Sequence, residues 1–490
     1  MQWINGLSKS FCFESKFKAQ SFSILSQAKI LRVLQKLFSI YKPYFKHIAK
    51  LSYPIIIGQL GIVLMGVADV IMIGKLDAVN LAAASFANAI YFTVCILGIG
   101  TLTAVSPLVA KSKGAGHPNQ CAILLRQSVI AALILSVFIS IILFLITENL
   151  QIFHQTERVN ELTKNFLHLL NAGTFPLLIF LAIKQYSDGL SITKPSAVIT
   201  MIALGINVFL NWVLIYGNLG FHAMGLLGAG FATSFARLAM AVMMYLYVRF
   251  NAIYKPYMRL KQHEQDTVFL KEIFKIGLPS GFQYFFELAA FAFAAVMIGW
   301  ISEYALAAHQ IAINIASTTY MIALGISAGG SIAVGDAYGR RNKLDLIRSG
   351  NASLLIGAMF MGCCAVLLFC FKEQIVLSYI TDKNVTDMAV QLILIAAFFQ
   401  LSDGIQCVGL GILRGIGDTK MPTAFTIFAY WAVAIPVGYW LGFVKNFSLY
   451  GIWIGLLLGL TISAIFLSLR FIKLSRKVIV SYQSHLKDID

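Results

Sequence analysis

The amino-acid sequence predicts an all-α integral membrane protein with about 12 transmembrane helices in two parallel six-helix repeats. Three observations support this fold class. Of the 490 residues, 59% are hydrophobic and only 12% are charged, about half the charged fraction of a typical soluble protein. Apolar stretches of about 20 residues recur along the chain, and each is long enough to cross a bilayer as a helix. The first half of the sequence also resembles the second half.

The apolar stretches are longer than the strands of an outer-membrane barrel, which need about ten residues of alternating pattern. Helices are therefore expected. The second and eighth spans are long enough to be broken or tilted. The spans are predicted at 51–74, 81–110, 121–146, 162–184, 196–216, 225–248, 276–300, 305–337, 350–371, 388–412, 422–443 and 450–471.

Lysine and arginine residues concentrate in alternate connections. The N-terminus, the connections that follow the even-numbered spans, and the C-terminal tail hold most of the 38 basic residues. The other connections are short and hold few. By the positive-inside rule, both termini are expected in the cytoplasm. The formal charge of +17 is thus a topology signal, and no nucleic-acid partner is expected.

The longest internal connection follows the sixth span and separates two halves. Residues 1–49 are predicted to be a basic amphipathic extension on the cytoplasmic membrane surface, with a poorly ordered tail as the alternative. Residues 50–248 form the first half, 249–275 a cytoplasmic loop, 276–473 the second half, and 474–490 a cytoplasmic tail.

An internal repeat relates the two halves at an offset of 225 positions, without gaps across residues 54–114. Pro54 aligns with Pro279, and the sequence Met-Ile-Gly at 72–74 recurs at 297–299. Six spans per half is an even number, so both halves enter the membrane in the same direction. Such repeats are related by a pseudo-two-fold axis along the membrane normal, with substrate sites near the midplane.

Three acidic residues lie well inside the predicted spans: Asp69, Glu287 and Asp403. An acid at the centre of a span costs about 2.5–3.5 kcal/mol of insertion free energy, so it normally faces a cavity or a partner. At the repeat offset, Glu287 aligns with Ile62 and Asp69 with Ala294. Because the scaffold was duplicated without its acids, these carboxylates indicate function, although helix-to-helix hydrogen bonding is the structural alternative.

The first candidate site combines Asp69 with polar residues of the fifth span. Asn207 and Asn211 are spaced i, i+4 and share one helix face. One carboxylate and two amide oxygens suit a hard cation or a proton. Thr233 is a weaker candidate for the same cluster. For the two asparagines, ordinary interhelical hydrogen bonding is the alternative.

The second candidate site joins Glu287 to Asp403, which we expect to face each other across the bundle. Two carboxylates in one dry cavity cannot comfortably both be ionised, so one is expected to retain a proton. Such a pair can exchange a proton for a cation, which is the physical basis of an antiporter. Further polar contacts, with packing alone as the alternative for each, are expected from Gln283, Tyr284, Gln310 and Asn314.

No sequence motif indicates a catalytic residue, a cofactor or a structural metal. The seven cysteines show no C-x-x-C spacing. The glycine-rich "GLGILRGIGDTK" lacks the spacing of a dinucleotide site, and no P-loop, H-E-x-x-H or G-x-S-x-G sequence occurs. The sequence therefore predicts a protein that is not an enzyme and needs no cofactor.

Five stretches resemble the multidrug and toxic compound extrusion (MATE) family, in its bacterial NorM-like branch. The resemblance extends from about Lys50 to about Lys473. It implies two six-helix lobes around a V-shaped cavity, in a monomer of the bacterial inner membrane. The stretches are "PIIIGQLGIVLMGVADVIMIGKLDAVNLAAAS", "GLPSGFQYFFELAAFAFAAVMIGW", "LAAHQIAINIAS", "ALGISAGGSIAVGDAYGRRN" and "FQLSDGIQCVGLGILRGIGDTKMPT".

The resemblance further implies export of drug-like, often cationic, small molecules in exchange for Na⁺ or H⁺ by alternating access. It assigns Asp69 and the asparagine pair to one cation site, and Glu287 with Asp403 to another. Phe399 departs from the family pattern, in which a tyrosine is expected one turn before the second-half aspartate; this favours protonation there over direct Na⁺ ligation. The alternatives are a lipid-linked-precursor flippase, which would need a basic cavity, and a membrane enzyme or respiratory-chain subunit.

Overall fold

The structure is a computed structural model that describes residues 39–258 and 267–487, without the side chains of 478–487. Within this part, 12 helices are long and apolar enough to cross a membrane, which confirms the predicted fold class. They are α1 Ser39–Gly74, α2 Ala78–Gly114, α3 Pro118–Glu148, α4 Glu157–Gly189, α5 Lys194–Tyr216, α6 Leu226–Phe250, α7 Thr267–Gly299, α8 Glu303–Gly339, α9 Lys343–Leu377, α10 Lys383–Ile416, α11 Lys420–Val444 and α12 Ser448–Lys487.

Each predicted span lies within one of these helices to within a residue, and most of the helices extend further. The reason is that hydropathy marks only the apolar part of a helix, whereas the backbone hydrogen bonds continue into the polar surface layer. The helix α1 therefore begins inside the predicted extension, and α7 begins inside the predicted loop 249–275. The amphipathic extension predicted for residues 1–49 falls mostly on 1–38, outside the described residues. Residues 259–266 and 488–490 also lie outside them.

Of the two long spans, α2 is interrupted at Thr103 whereas α8 is continuous. Pro107 has no N–H to bond the carbonyl of Thr103, as an unbroken helix would require. The backbone N–H groups of Thr103 and Ala104 instead bond carbonyls three residues earlier. At the repeat offset Pro107 corresponds to Ile332, so α8 keeps the bond that α2 has lost.

The segment that links the halves is anchored to α4. Residues Ala252–Tyr257 form a short 3₁₀ helix, in which the buried Tyr254 places its hydroxyl 2.6 Å from the hydroxyl of Ser187. Burial raises the pKa of Tyr254 to about 12, so the hydroxyl stays protonated at neutral pH. The hydroxyl of Tyr186 donates to the carbonyl of Tyr257 at 3.0 Å. The described beginning of the predicted loop is thus part of the packed structure.

Small residues bring the two halves together at positions that the repeat relates. A Cβ atom on Gly100 of α2 would lie 2.7 Å from the Cα of Gly281 on α7, so these helices meet backbone to backbone. At the repeat offset, the same pair becomes Gly325 of α8 and Ile56 of α1, which are also in contact. The matching contacts agree with a parallel duplication.

The crossing of α2 and α7 should tolerate no added methyl group. We expect Gly100→Ala to lower the melting temperature of the purified protein, because overpacking typically costs about 1–3 kcal/mol. Gly205→Ala on α5 is the matched control, since no atom lies within 4 Å of its Cβ position. Alanine there should leave the melting temperature unchanged or raise it. Equal melting temperatures for the two variants would contradict the close approach.

Candidate functional site

The first-half cluster surrounds Asp69 of α1, whose side chain is only 8% exposed. Asn211 Nδ2 donates to Asp69 Oδ1 at 2.5 Å, and Thr233 Oγ1 donates to Asp69 Oδ2 at 2.9 Å. Asn207 accepts from Asn211 at 3.3 Å and donates to Thr233 at 3.4 Å. The structure therefore brings together all four side chains that the sequence analysis grouped at this site.

One oxygen of this cluster has no hydrogen-bond donor. Asn211 Oδ1 is buried and lacks a partner among the described residues. Leaving a buried acceptor unpaired costs about 1–3 kcal/mol. Carboxylate and amide oxygens are the ligands that hard cations prefer. Asn211 carries such an unpaired oxygen, and its amide nitrogen bonds Asp69. The cluster can therefore accept a positive charge.

The second-half cluster surrounds Glu287 of α7, which is 6% exposed. Gln283 Nε2 donates to Glu287 Oε2 at 3.2 Å. Gln406 Nε2 and the Tyr430 hydroxyl both donate to Glu287 Oε1, at 3.0 and 3.1 Å. Gln406 also donates to the oxygen of Tyr430 at 3.1 Å. Gln283 is a residue that the sequence analysis named, whereas Gln406 and Tyr430 are new.

These two residues differ in how far the sequence could have indicated them. Gln406 lies three positions after Asp403 on α10 and so shares its helix face, which is a readable signal. Tyr430 lies in a π-helical stretch, Phe428–Ala434, shortly before Pro436. The wider turn changes the register of side chains along α11, so ordinary helical periodicity misplaces Tyr430. Such π-turns occur frequently at functional sites.

Asp403 of α10 is 4% exposed and lies close enough to Glu287 for their charges to interact. Within the described residues no hydrogen bond holds its carboxylate. One turn earlier, the ring of Phe399 packs against Trp453, with centroids 5.5 Å apart. Phe399 brings no hydroxyl to the site. The hydroxyl that the cluster does contain is supplied by Tyr430 from α11.

In the described structure, neither cluster pairs its acid with a basic side chain. Among the described residues, none of the seven ion pairs involves Asp69, Glu287 or Asp403. Arg237 and Arg414 act on the acids electrostatically without pairing with them. A charged carboxylate that is buried and unpaired is strongly unfavourable. Asp69 and Glu287 are therefore held by hydrogen bonds from neutral groups and not by ion pairs.

The remaining candidates form no hydrogen bond with the acids in the described structure. The ring of Tyr284 lies under the guanidinium of Arg414, 5.6 Å from its centroid. Gln310 and Asn314 are exposed on α8 and form no side-chain hydrogen bond with either acid in the described structure. At the repeat offset they align with Ser85 and Ala89, which are exposed on α2. The two halves thus present equivalent exposed helix faces.

The Tyr430 hydroxyl should be important for holding the Glu287 cluster together. We expect Tyr430→Phe to lower the melting temperature, because it removes a hydroxyl that bonds both Gln406 and Glu287, a loss of about 1–3 kcal/mol. The control is Tyr439→Phe on the same helix, where the side chain is exposed. If both variants melt at the wild-type temperature, the hydrogen bonds of the Tyr430 hydroxyl contribute nothing to stability.

Comparison with known proteins gives a single consistent result. The family model MatE matches residues 54–213 and 279–440, and the two matches begin 225 residues apart. The chain is 35% identical over 428 residues to "Multidrug resistance protein MdtK" of Proteus mirabilis, covering 86% of this chain and 93% of the relative. It is 33% identical over 447 residues to "Multidrug resistance protein NorM" of Aliivibrio fischeri, covering 89% and 96%.

Solved structures show the same fold. The crystal structure of the eukaryotic MATE transporter AtDTX14 matches with a TM-score of 0.81 at 18% identity, covering 89% of this chain and 98% of that one. An outward-facing multidrug resistance MATE family transporter of the MOP superfamily matches with a TM-score of 0.80 at 22% identity, covering 89% and 96%. At these identities the likeness concerns the fold alone.

Proposed function

The chain belongs to the MATE family, and we propose that it is a secondary active multidrug efflux transporter of the bacterial inner membrane. It is a transporter and not an enzyme. In this proposal it exports organic, often cationic, compounds in exchange for Na⁺ or H⁺ by alternating access. Both termini lie in the cytoplasm in this proposal, an orientation that the basic connections support by the positive-inside rule. A monomer suffices, because both acid clusters are formed within one chain.

The observation that carries this proposal is that each half buries a carboxylate among neutral partners. Beside each one, a buried amide oxygen lacks a donor among the described residues: Asn211 Oδ1 next to Asp69, and Gln406 Oε1 next to Glu287. Amide and hydroxyl groups can rearrange around a charged or a neutralised carboxyl, whereas an arginine partner would hold it permanently charged. Both clusters are therefore suited to taking up and releasing a positive charge.

The proposed exchange follows from competition for these carboxylates. A cationic substrate and the coupling ion both favour the charged acids, and a site that is neutralised by one attracts the other less. Inward movement of a positive charge releases about 2.3 kcal/mol per 100 mV of membrane potential. A change of access must accompany each exchange, and it can be driven only by a difference in ligand affinity between the two states.

The two clusters differ in what they offer a coupling ion. Glu287 accepts hydrogen bonds from Gln283, Gln406 and Tyr430, which are donors, and Phe399 adds no oxygen. These donors favour the charged carboxylate. What supports H⁺ as the ion at this site is the second buried acid, Asp403, because two carboxylates that share a dry site do not readily both ionise. The Asp69 cluster includes amide oxygens and a hydroxyl, so its ligand set would suit either Na⁺ or H⁺.

Neutralising either acid of the second half should stop coupled export. We expect Glu287→Gln and Asp403→Asn to fold and insert, because each replacement nearly preserves shape while removing the charge. Dye efflux from proteoliposomes should fall to the level of empty vesicles. The control is Glu303→Gln, an exposed acid in the first turn of α8, which should export at the wild-type rate. Normal export by both site variants would show that these acids play no part in coupling.

The coupling ion can be identified with the wild-type protein. We expect an imposed pH gradient alone to drive dye export from proteoliposomes, because two carboxylates that share a dry site do not readily both ionise and one of them retains a proton. The same vesicles are then tested with a Na⁺ gradient at constant pH. Export driven by Na⁺ but not by the pH gradient would contradict the assignment of H⁺ to the Glu287–Asp403 pair.

A further inference from the structure

A cavity of about 240 Å³ lies where α2, α7 and the turn between α10 and α11 meet. The turn contains the glycine-rich sequence "RGIGDTK", none of whose residues takes part in the proposed transport mechanism. Both halves line the cavity, because α2 belongs to the first half and the other elements to the second. Its charged lining residues are Lys111, Glu272, Lys275, Arg414, Asp418 and Lys420.

Both acids of the cavity are already paired. Lys111 Nζ lies 3.7 Å from Glu272 Oε1. Asp418 accepts from Arg470 Nε at 2.9 Å. Lys275, Arg414 and Lys420 therefore remain without a carboxylate partner in the described part of the chain. The cavity has an excess of positive charge, and this excess is unusual because part of it is buried.

Arg414 is the buried cation, with a side chain only 6% exposed. Its Nε donates to Ser280 Oγ at 3.2 Å, and its guanidinium lies over the ring of Tyr284. A guanidinium carries five N–H donors in a planar fork, and the Nε contact uses one of them. A desolvated cation that is not paired with a carboxylate is unfavourable. Phosphate matches the remaining donors, since the fork can bond two of its oxygens at once.

The turn brings the start of α11 to the same cavity. Gly417 ends α10 in the left-handed region at φ 86°, and Asp418 N bonds the carbonyl of Leu413 at 3.0 Å. The chain thereby reverses, so that the end of α10 and the start of α11 line one cavity. The N-cap residue of α11, Thr419, makes no side-chain capping bond. The first N–H groups of a helix attract anions.

We propose that this cavity binds a phosphate group, carried either by the headgroup of an anionic phospholipid or by a soluble phosphate. Its position at the loop end of the helices corresponds to the headgroup level, where basic pockets between transmembrane helices bind acidic lipids. Because residues of both halves line the cavity, a bound phosphate would lie where the two halves meet. The proposal does not depend on which compounds are exported.

The test measures binding to the purified, delipidated full chain. Phosphatidylglycerol, with phosphatidylcholine as the zwitterionic reference, is titrated and followed by native mass spectrometry. Radiolabelled inorganic phosphate is measured by equilibrium dialysis. The variants are Arg414→Gln and the double variant Lys275→Gln/Lys420→Gln. The control is Lys194→Gln, which removes an exposed cation at the start of α5, on the same end of the helices by topology. Thermal unfolding verifies that each variant is folded.

We expect the wild type and the control to bind equally, and both site variants to bind about tenfold more weakly, the loss typical of a charge-assisted contact. Loss of phosphatidylglycerol binding identifies a lipid headgroup, and loss of inorganic phosphate binding identifies a soluble anion. Loss of both supports recognition of the shared group. If Arg414→Gln fails to fold, the double variant decides. No saturable binding in either arm, or equal binding by the control and the folded site variants, overturns the proposal.

Discussion

The structure depends on how carboxylates are kept stable inside apolar helices. Asp69 and Glu287 are surrounded by amide and hydroxyl groups rather than by lysine or arginine. An ion pair would fix the charge and leave nothing to exchange. Neutral partners leave a buried carboxylate charge uncompensated, and in the proposed exchange an arriving proton or cation removes that cost. The polar residues of α5, α6, α10 and α11 are best understood as the surroundings that such an exchange requires.

The duplicated scaffold links these acids to the contact between the halves. Tyr284 lies one turn before Glu287 on α7, its ring lies against Gly100 of α2, and the guanidinium of Arg414 covers it. Tyr284, which follows the α2–α7 crossing at Gly281, is thus adjacent both to the acid cluster and to the basic cavity. A change of charge at Glu287 and a movement of α2 against α7 would both act on this ring. The repeat relates the helices of the two halves, whereas the buried acids and Arg414 belong to one half each and have no equivalent in the other.

Much of this arrangement could be predicted from the sequence. The apolar stretches give the spans because a bilayer core has a fixed thickness. The i, i+4 spacing of Asn207 and Asn211 gives a shared face because a helix has a fixed period. The acids stand out because hydrocarbon makes them costly. Each of these inferences rests on a local rule that needs no knowledge of neighbouring helices.

The remaining features depend on departures from regular helix geometry or on tertiary contacts. Tyr430 reaches Glu287 from a π-helical stretch, whose register no regular period describes. The break in α2 follows from Pro107, but the sequence alone gave the same expectation for α8. Gln310 and Asn314 are as polar as the residues that contact the acids, yet they are exposed and form no hydrogen bond with an acid in the described structure, because polarity does not indicate which neighbour a helix face meets.

The central claim is that substrate movement and ion movement are coupled through the buried acids. Thermodynamic reciprocity requires that an imposed substrate gradient should move the ion in the opposite direction. The most direct measurement is therefore to load proteoliposomes with a cationic dye, with no pH or Na⁺ gradient, and to record the internal pH and Na⁺ concentration as the dye leaves. The account predicts that H⁺ or Na⁺ enters in fixed proportion to dye export, and that this entry disappears in Glu287→Gln. Dye export through the wild-type protein without entry of either ion would contradict it.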